Sequence, residues 1–150
     1  GYDGMAVYGT NETMKKLSGQ GAYIYSGIKT LLKIDPSLLT FTVNGKLYQG
    51  YSGIIGNAAK YGGNFSVTPD AQLSNPVLYL CIFKGSKRAD IVRYVFGILT
   101  GTHLKYADIE YIKAELIEIK GRAHIQIDGD YFGMTPANVE IVPNALNLIF

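Results

Sequence analysis

Leu38-Leu39-Thr40-Phe41-Thr42-Val43-Asn44-Gly45-Lys46-Leu47-Tyr48-Gln49-Gly50-Tyr51 decides the fold. Leu39, Phe41 and Val43 alternate with Thr40 and Thr42, the period-two pattern of a half-buried strand. Asn44-Gly45 then sits between two such runs. Both residues tolerate positive φ, so the pair predicts a tight β-hairpin between Leu38–Val43 and Lys46–Tyr51. Ser52 to Ile55 carries the second strand on to Gly56-Asn57.

Working outward, Asp35-Pro36 closes a helix predicted over Ala22–Lys33, because a residue before proline avoids the helical region. Ile24, Ile28, Leu31 and Leu32 fall on one face of that helix. Met5–Val7 reads as a short strand and Thr13–Leu17 as a helical turn. Downstream, Phe65–Thr68 reads as a short strand. Val77–Phe83 is a continuous apolar run of strand length, buried on both faces. Ser86 is the expected N-cap of a second helix, Lys87–Thr100. Its core face is Ile91, Val95, Ile98 and Leu99, widened by Val92 and Phe96, and Gly101 stops it. Ile109–Ile119 reads as one strand with Tyr111, Lys113, Glu115 and Ile117 on one face. His124–Ile127 leads into a second hairpin signal, Asp128-Gly129, and Val139–Val142 and Leu146–Ile149 close the chain as strands. Eight or more short strands and two helices predict a mainly β (α+β) domain, an antiparallel β-sandwich or distorted barrel with about two packed helices.

Composition narrows the function classes. A chain of 150 residues is one domain's worth, and 47% hydrophobic against 17% charged residues suffices for a core. A net charge of +2 is too weak to make a nucleic-acid surface by itself. The single cysteine excludes an internal disulfide framework and a multi-cysteine zinc site. Leu47–Ala59 is 13 residues without a charged side chain, and no stretch exceeds it, so the sequence holds no apolar run of the ~20 residues a spanning helix needs. With no signal peptide visible, cytoplasmic location is the expectation. The start at Gly1, without an initiator Met, suggests a longer natural chain. Open strand edges leave homo-oligomer formation possible.

The chemistry-bearing residues are few. In Gln126-Ile127-Asp128-Gly129-Asp130, Gly129 lets the backbone turn so that Asp130 can lie near Asp128. Two carboxylates at one bend can serve as a base and a metal or hydroxyl orienter; a solvated Asp-Gly turn is the plain alternative. Asn57 can orient a ligand with its amide, or be a left-handed turn former. Tyr61-Gly62-Gly63 lacks the Lys-Ser/Thr of a phosphate loop. His103 reads as a cap or loop residue and Cys81 as a small buried hydrophobe, and His103, His124 and Cys81 lack metal-ligand spacing. Lys84, Lys87 and Arg88 make a basic cluster, either a solvated face or a contact for anionic lipid.

Several pieces run in one family order: Gly1-Tyr2-Asp3-Gly4, Gly56-Asn57 with Tyr61-Gly62-Gly63, Thr68-Pro69-Asp70-Ala71, Leu99-Thr100-Gly101-Thr102-His103, Ile125-Gln126-Ile127-Asp128-Gly129-Asp130 and Val142-Pro143-Asn144-Ala145-Leu146. Together they resemble the C-terminal β-rich domain of bacterial diacylglycerol kinase-like lipid kinases, relatives of the sphingosine and ceramide kinases. The resemblance implies that residues 1–150 are the lipid-substrate side of a two-domain kinase whose N-terminal nucleotide-binding domain holds ATP and magnesium. The fragment is then inactive alone and contacts the membrane peripherally, at the inner face, to reach its lipid. Family members usually read Asp-Gly-Glu at the acidic bend, with the Glu taken as base. Asp130 stands there, one methylene shorter, with Asp128 as its partner. Asn57, Tyr61, Gly62 and Gly63 match the substrate side. Where relatives often carry Asp-Asp-Gly beside a structural magnesium, this chain has Leu73-Ser74-Asn75-Pro76, so that metal is not expected. Two other readings compete: a noncatalytic lipid-binding or regulatory member, and a free-standing β-sandwich ligand-binding module.

Overall fold

In the computed structural model, which describes residues 36–60, 65–143 and 145, Asn44 and Gly45 take φ of 50° and 76°. Both values are positive, as a two-residue hairpin turn requires. They join β1 (Leu39–Val43) to β2 (Lys46–Gly50) with Phe41 opposite Tyr48. Leu39, Phe41 and Val43 are buried, as their alternation predicts.

The chain departs from the sequence expectation at two corners. The second strand does not run on through Ser52. It breaks at Tyr51, whose N–H donates to the Phe83 carbonyl at 2.8 Å, and resumes as β3 (Ser52–Gly56) in a different sheet. Gly50 sits at this crossing because a Cβ there would run into the Ile82 side chain. The second corner is Glu115. It divides the expected Ile109–Ile119 strand into β5 (Ile109–Ala114) and β6 (Leu116–Lys120). The alternation changes phase there. Tyr111 packs on the outer side of its sheet, whereas Ile117 is fully buried between the sheets.

With β4 (Leu78–Phe83), β7 (His124–Ile127), β8 (Asp130–Met134) and β9 (Ala137–Glu140), three antiparallel sheets result. Their strand orders are β2-β1-β6-β9, β3-β4-β5 and the separate pair β7-β8. The described sheets do not close into a barrel, so the sandwich is the architecture found. Its inner core joins Leu39, Phe41, Val43 and Ile117 of one sheet to Leu78, Leu80, Ile82 and Ala114 of the other. A second core covers the far face of β3-β4-β5 with Val67, Cys81, Phe83 and Tyr94. The Val77–Phe83 run is apolar throughout because β4 faces both cores.

The helix α1 (Arg88–Leu99) forms the third layer. Its N-cap is Lys87 rather than Ser86, and the Asp90 carboxylate accepts the Lys87 N–H at 3.0 Å. Of the expected face, Ile91 is buried, Ile98 packs against the second core and Val95 is half-buried, but the most buried stripe is Ile91, Tyr94 and Gly97. Val92, Phe96 and Leu99 are 46%, 63% and 38% exposed. The rotation has a polar cause: the Tyr94 hydroxyl reaches inward to Asp108 and accepts the Gly85 N–H at 2.7 Å. Gly97 admits Tyr106, whose Cε2 would lie 2.7 Å from a Cβ at that position. The helix ends at Gly101 as expected. Gly101 N–H donates to the Ile98 carbonyl at 3.2 Å and Thr102 N–H to the Gly97 carbonyl at 2.7 Å, a Schellman motif. Phe65–Thr68 is not a strand. Met5–Val7, Thr13–Leu17, Ala22–Lys33 and Leu146–Ile149 lie outside the described residues.

Two predictions follow from the shared strand. Leu80 is fully buried in the inner core, so Leu80→Ala should cost about 2–5 kcal/mol in urea unfolding, whereas Leu47→Ala, at a side chain 72% exposed, should be nearly silent. Equal effects at both sites would refute this core. The second concerns alkali. Burial raises the Cys81 thiol from 9.0 to about 12, and burial raises Tyr111 from 10.0 to about 12. The unfolded chain releases these protons first, so their stabilisation is complete below pH 9 and is lost as pH climbs from 9 to 12. The urea midpoint should fall across that window, and Cys81→Ala should flatten the fall; an unchanged wild-type midpoint up to pH 11 contradicts the assignment.

Candidate functional site

Asp128 and Gly129, with φ of 50° and 94°, form the two-residue turn between β7 and β8. Gly129 meets the left-handed requirement without strain, and Asp128 meets it as a short polar residue. The Gln126 Oε1 accepts the Gly129 N–H at 2.6 Å, which ties the turn to its own strand. Asp130 opens β8 opposite Ile127, so the two carboxylates flank Gly129, and both residues are exposed. The base of the hairpin is clamped by Thr135. Its Oγ1 accepts the Ala123 N–H at 2.8 Å and donates to the Gly121 carbonyl at 2.8 Å.

This arm belongs to neither core. Ile127, Phe132 and Met134 are 50%, 69% and 39% exposed beside the acidic turn. His124 Nδ1 lies 3.2 Å from the Tyr131 hydroxyl on the same pair of strands.

Asn57 lies elsewhere, directly after β3, and is exposed. Among described non-glycine residues, positive φ occurs only at Asn44 and Asp128, so Asn57 is not a left-handed turn former. The loop behind it is held by two hydroxyls. Thr68 Oγ1 donates to the Ala58 carbonyl at 3.0 Å, and Ser66 Oγ donates to the Ala59 carbonyl at 2.6 Å. Tyr61, Gly62 and Gly63 lie outside the described residues.

Two arrangements escape a reading of the sequence. The first joins Tyr94 and Arg93, both donating to the Asp108 carboxylate. Burial opposes ionisation of Asp108, but the Tyr94 hydroxyl and the Arg93 guanidinium hold its carboxyl below the usual carboxylate range. Arg93 also lies over the rings of Tyr94 and Tyr106, 5.2 and 5.1 Å from their centroids. The second is His103. It is only 2% exposed, and its Nε2 lies 3.0 Å from the Val67 carbonyl, so it is no loop cap. The basic cluster is partly engaged: Lys84 pairs with Glu110 at 2.6 Å.

Among the described residues there is no group of three or more His, Cys, Asp or Glu side chains that could hold a metal. Asp128 and Asp130 offer hard oxygen donors at the turn, enough for a magnesium shared with phosphates but not for an all-protein cage. The Leu73–Pro76 segment supplies no carboxylate. A groove of about 440 Å³ is lined by Pro76, Glu115, Leu116, Glu140, Ile141 and Pro143, and neither the acidic turn nor Asn57 lines it. No described helix is long and apolar enough to cross a membrane.

The family model described as the YegS C-terminal NAD kinase beta sandwich-like domain matches residues 1–150. A diacylglycerol kinase of Bacillus subtilis (strain 168) is 28% identical over 134 residues, which cover 87% of this chain and 44% of that protein. A diacylglycerol kinase of Staphylococcus aureus (strain bovine RF122 / ET3-1) is 28% identical over 135 residues, covering 87% and 43% respectively. A solved diacylglycerol kinase structure from Bacillus anthracis str. Sterne superimposes with a TM-score of 0.62 at 24% identity, over 87% of this chain and 46% of that one. The chain thus spans under half the length of the curated relatives it matches.

Because the acidic turn sits on an arm outside both cores, strain there should stay local. Gly129→Ala places a Cβ at φ 94° and should cost the arm about 1–2 kcal/mol. Amide exchange should rise in His124–Met134 and stay unchanged in Leu78–Phe83. A fall in overall stability with no change in the hairpin amides would contradict this independence.

Proposed function

The chain belongs to the YegS C-terminal NAD kinase beta sandwich-like domain family, and from that premise we propose that it is the acceptor-side half of an ATP-dependent kinase for a diacylglycerol-like lipid. The observation that carries this reading is the acidic turn. Two solvent-facing carboxylates flank Gly129 on an arm that neither core uses, in a chain whose relatives are diacylglycerol kinases. A structural Asp-Gly turn needs no second carboxylate.

In the proposed reaction Asp130 accepts the proton of the lipid hydroxyl. The freed oxygen bonds to the γ-phosphorus of ATP, the bond from that phosphorus to the β–γ bridging oxygen breaks, and ADP leaves with the electron pair. Such transfers depend on positioning and charge neutralisation, with a base orienting the attacking oxygen. Asp128 orients Asp130 and offers an oxygen to magnesium, which when bound neutralises charge on the phosphoryl group. Aspartate is one methylene shorter than glutamate, so the acceptor must come closer to the turn than a glutamate would require. The Asn57 loop, with Tyr61, Gly62 and Gly63, binds the acceptor from the sandwich side.

The phosphate cradle is not supplied by these residues. It falls to a nucleotide-binding domain of the same protein, as the longer relatives allow, and the isolated chain is inactive. Contact with the membrane is peripheral, because the acceptor resides in the bilayer.

The test uses the full open reading frame that encodes this chain, assayed with ATP, magnesium and diacylglycerol in mixed micelles. Asp130→Asn should lower kcat by about 10²–10⁴-fold, and Asp128→Asn should lower it less. Near-normal turnover in Asp130→Asn removes the base. An inert wild-type protein that still binds diacylglycerol micelles favours the noncatalytic lipid-binding reading.

A further inference from the structure

We infer that His103 is a positioning residue for the Asn57 loop, acting through Val67 and Thr68; the inference rests on the proposal that this loop binds the acceptor. The Schellman turn ending α1 delivers His103 into a short 3₁₀ turn, His103–Lys105, where its ring is buried. Nε2 meets the Val67 carbonyl at 3.0 Å. A carbonyl only accepts, so Nε2 carries a proton, and in the neutral ring Nδ1 is then a bare acceptor. Nδ1 is buried and has no hydrogen-bond partner among the described residues. Leaving such an acceptor unpaired is costly, and a leucine would fill similar space without that cost. What the imidazole contributes here is therefore its single bond to Val67.

That bond acts on a segment with no ladder of its own. Val67 and Thr68 are 1% and 2% exposed, yet residues 65–68 belong to no strand. The flanking side chains point the other way: Ser66 and Thr68 hydroxyls hold the Ala59 and Ala58 carbonyls. Thr68 also fills the space where a side chain on Gly56 would have to go. Residues 66–68 are thus held at Val67 by His103 and hold the Asn57 loop through the Ser66 and Thr68 hydroxyls. The Ala58 and Ala59 carbonyls are held while Asn57 is exposed, an arrangement that pre-organises a binding amide.

The test reads amide exchange first. Thr68→Val should speed exchange at residues 57–60 about tenfold and leave Leu78–Phe83 unchanged. His103→Leu should do the same, and His103→Gln, whose amide N–H can still reach the Val67 carbonyl, should restore slow exchange. Unchanged exchange at 57–60 in both Thr68→Val and His103→Leu overturns the inference. So does a rise that spreads across Leu78–Phe83 and that glutamine fails to rescue. Should His103→Leu fail to fold, Thr68→Val decides. In the full open reading frame, Thr68→Val should raise KM for diacylglycerol severalfold with kcat and the KM for ATP unchanged; an unaltered lipid KM overturns the positioning role. Absence of any wild-type lipid phosphorylation defeats the kinase reading instead, and leaves the exchange measurements to judge the latch.

Discussion

The structure depends on β4. Its six residues, Leu78–Phe83, form the most deeply buried described strand, with an apolar layer packed on both faces. Leu80 and Ile82 face the opposing sheet, and Cys81 and Phe83 face the helix layer. Any polar side chain facing either core would need a hydrogen-bond partner there, as the Tyr94 hydroxyl finds in Asp108. The neighbouring strands inherit their register from it: β3 pairs from Ser52↔Phe83 to Gly56↔Tyr79, and β5 from Leu78↔Ala114 to Phe83↔Ile109. The end of β3, and with it Asn57, is therefore fixed by the most buried strand.

The same constraint explains the two corners. A strand shared by two cores must be flanked by strands that leave its sheet to build the other one. The chain does this at Tyr51 and at Glu115, where β2 passes into β3 and β5 into β6. Each crossing reverses which side of the chain faces inward, so an alternation followed straight through Glu115 assigns Ile117 to the wrong face.

Much of this was legible in the residues. The Asn44-Gly45 turn, the alternation of Leu39, Phe41 and Val43, the doubly buried run and the Gly101 stop each rest on a local rule, and each appears as read. The acidic turn was visible for the same reason, because Asp-Gly carries its own geometry. The failures have a common origin in distant polar groups. The face of α1 is set by Asp108, 14 residues from Tyr94, and periodicity within the helix contains no trace of it. His103 is buried because a carbonyl 36 residues earlier needs its proton, while the sequence around it shows only a residue after a helix-ending glycine. A polar residue recruited into a core by a remote partner looks locally like a surface residue.

The two halves of the proposed site consequently differ in physical character. The Ala58 and Ala59 carbonyls of the Asn57 loop are held by part-buried hydrogen bonds from Thr68 and Ser66, whose neighbour Val67 is bound by buried His103. The ties of the acidic turn include its own ladder, a bond from Gln126, the His124–Tyr131 contact and the Thr135 clamp, and Ile127 and Phe132 stand exposed beside it. A two-stranded hairpin outside a core is marginally stable by itself. A base must be placed to within a fraction of an ångström to act, so in the proposed role Asp130 needs this arm to be steadied. On the proposed mechanism, a surface must close over Ile127 and Phe132 before the carboxylate is in place. On that reading, docking of the nucleotide-bearing half and activation of the acceptor are coupled, with the Ala58 and Ala59 carbonyls of the Asn57 loop held on the sandwich side.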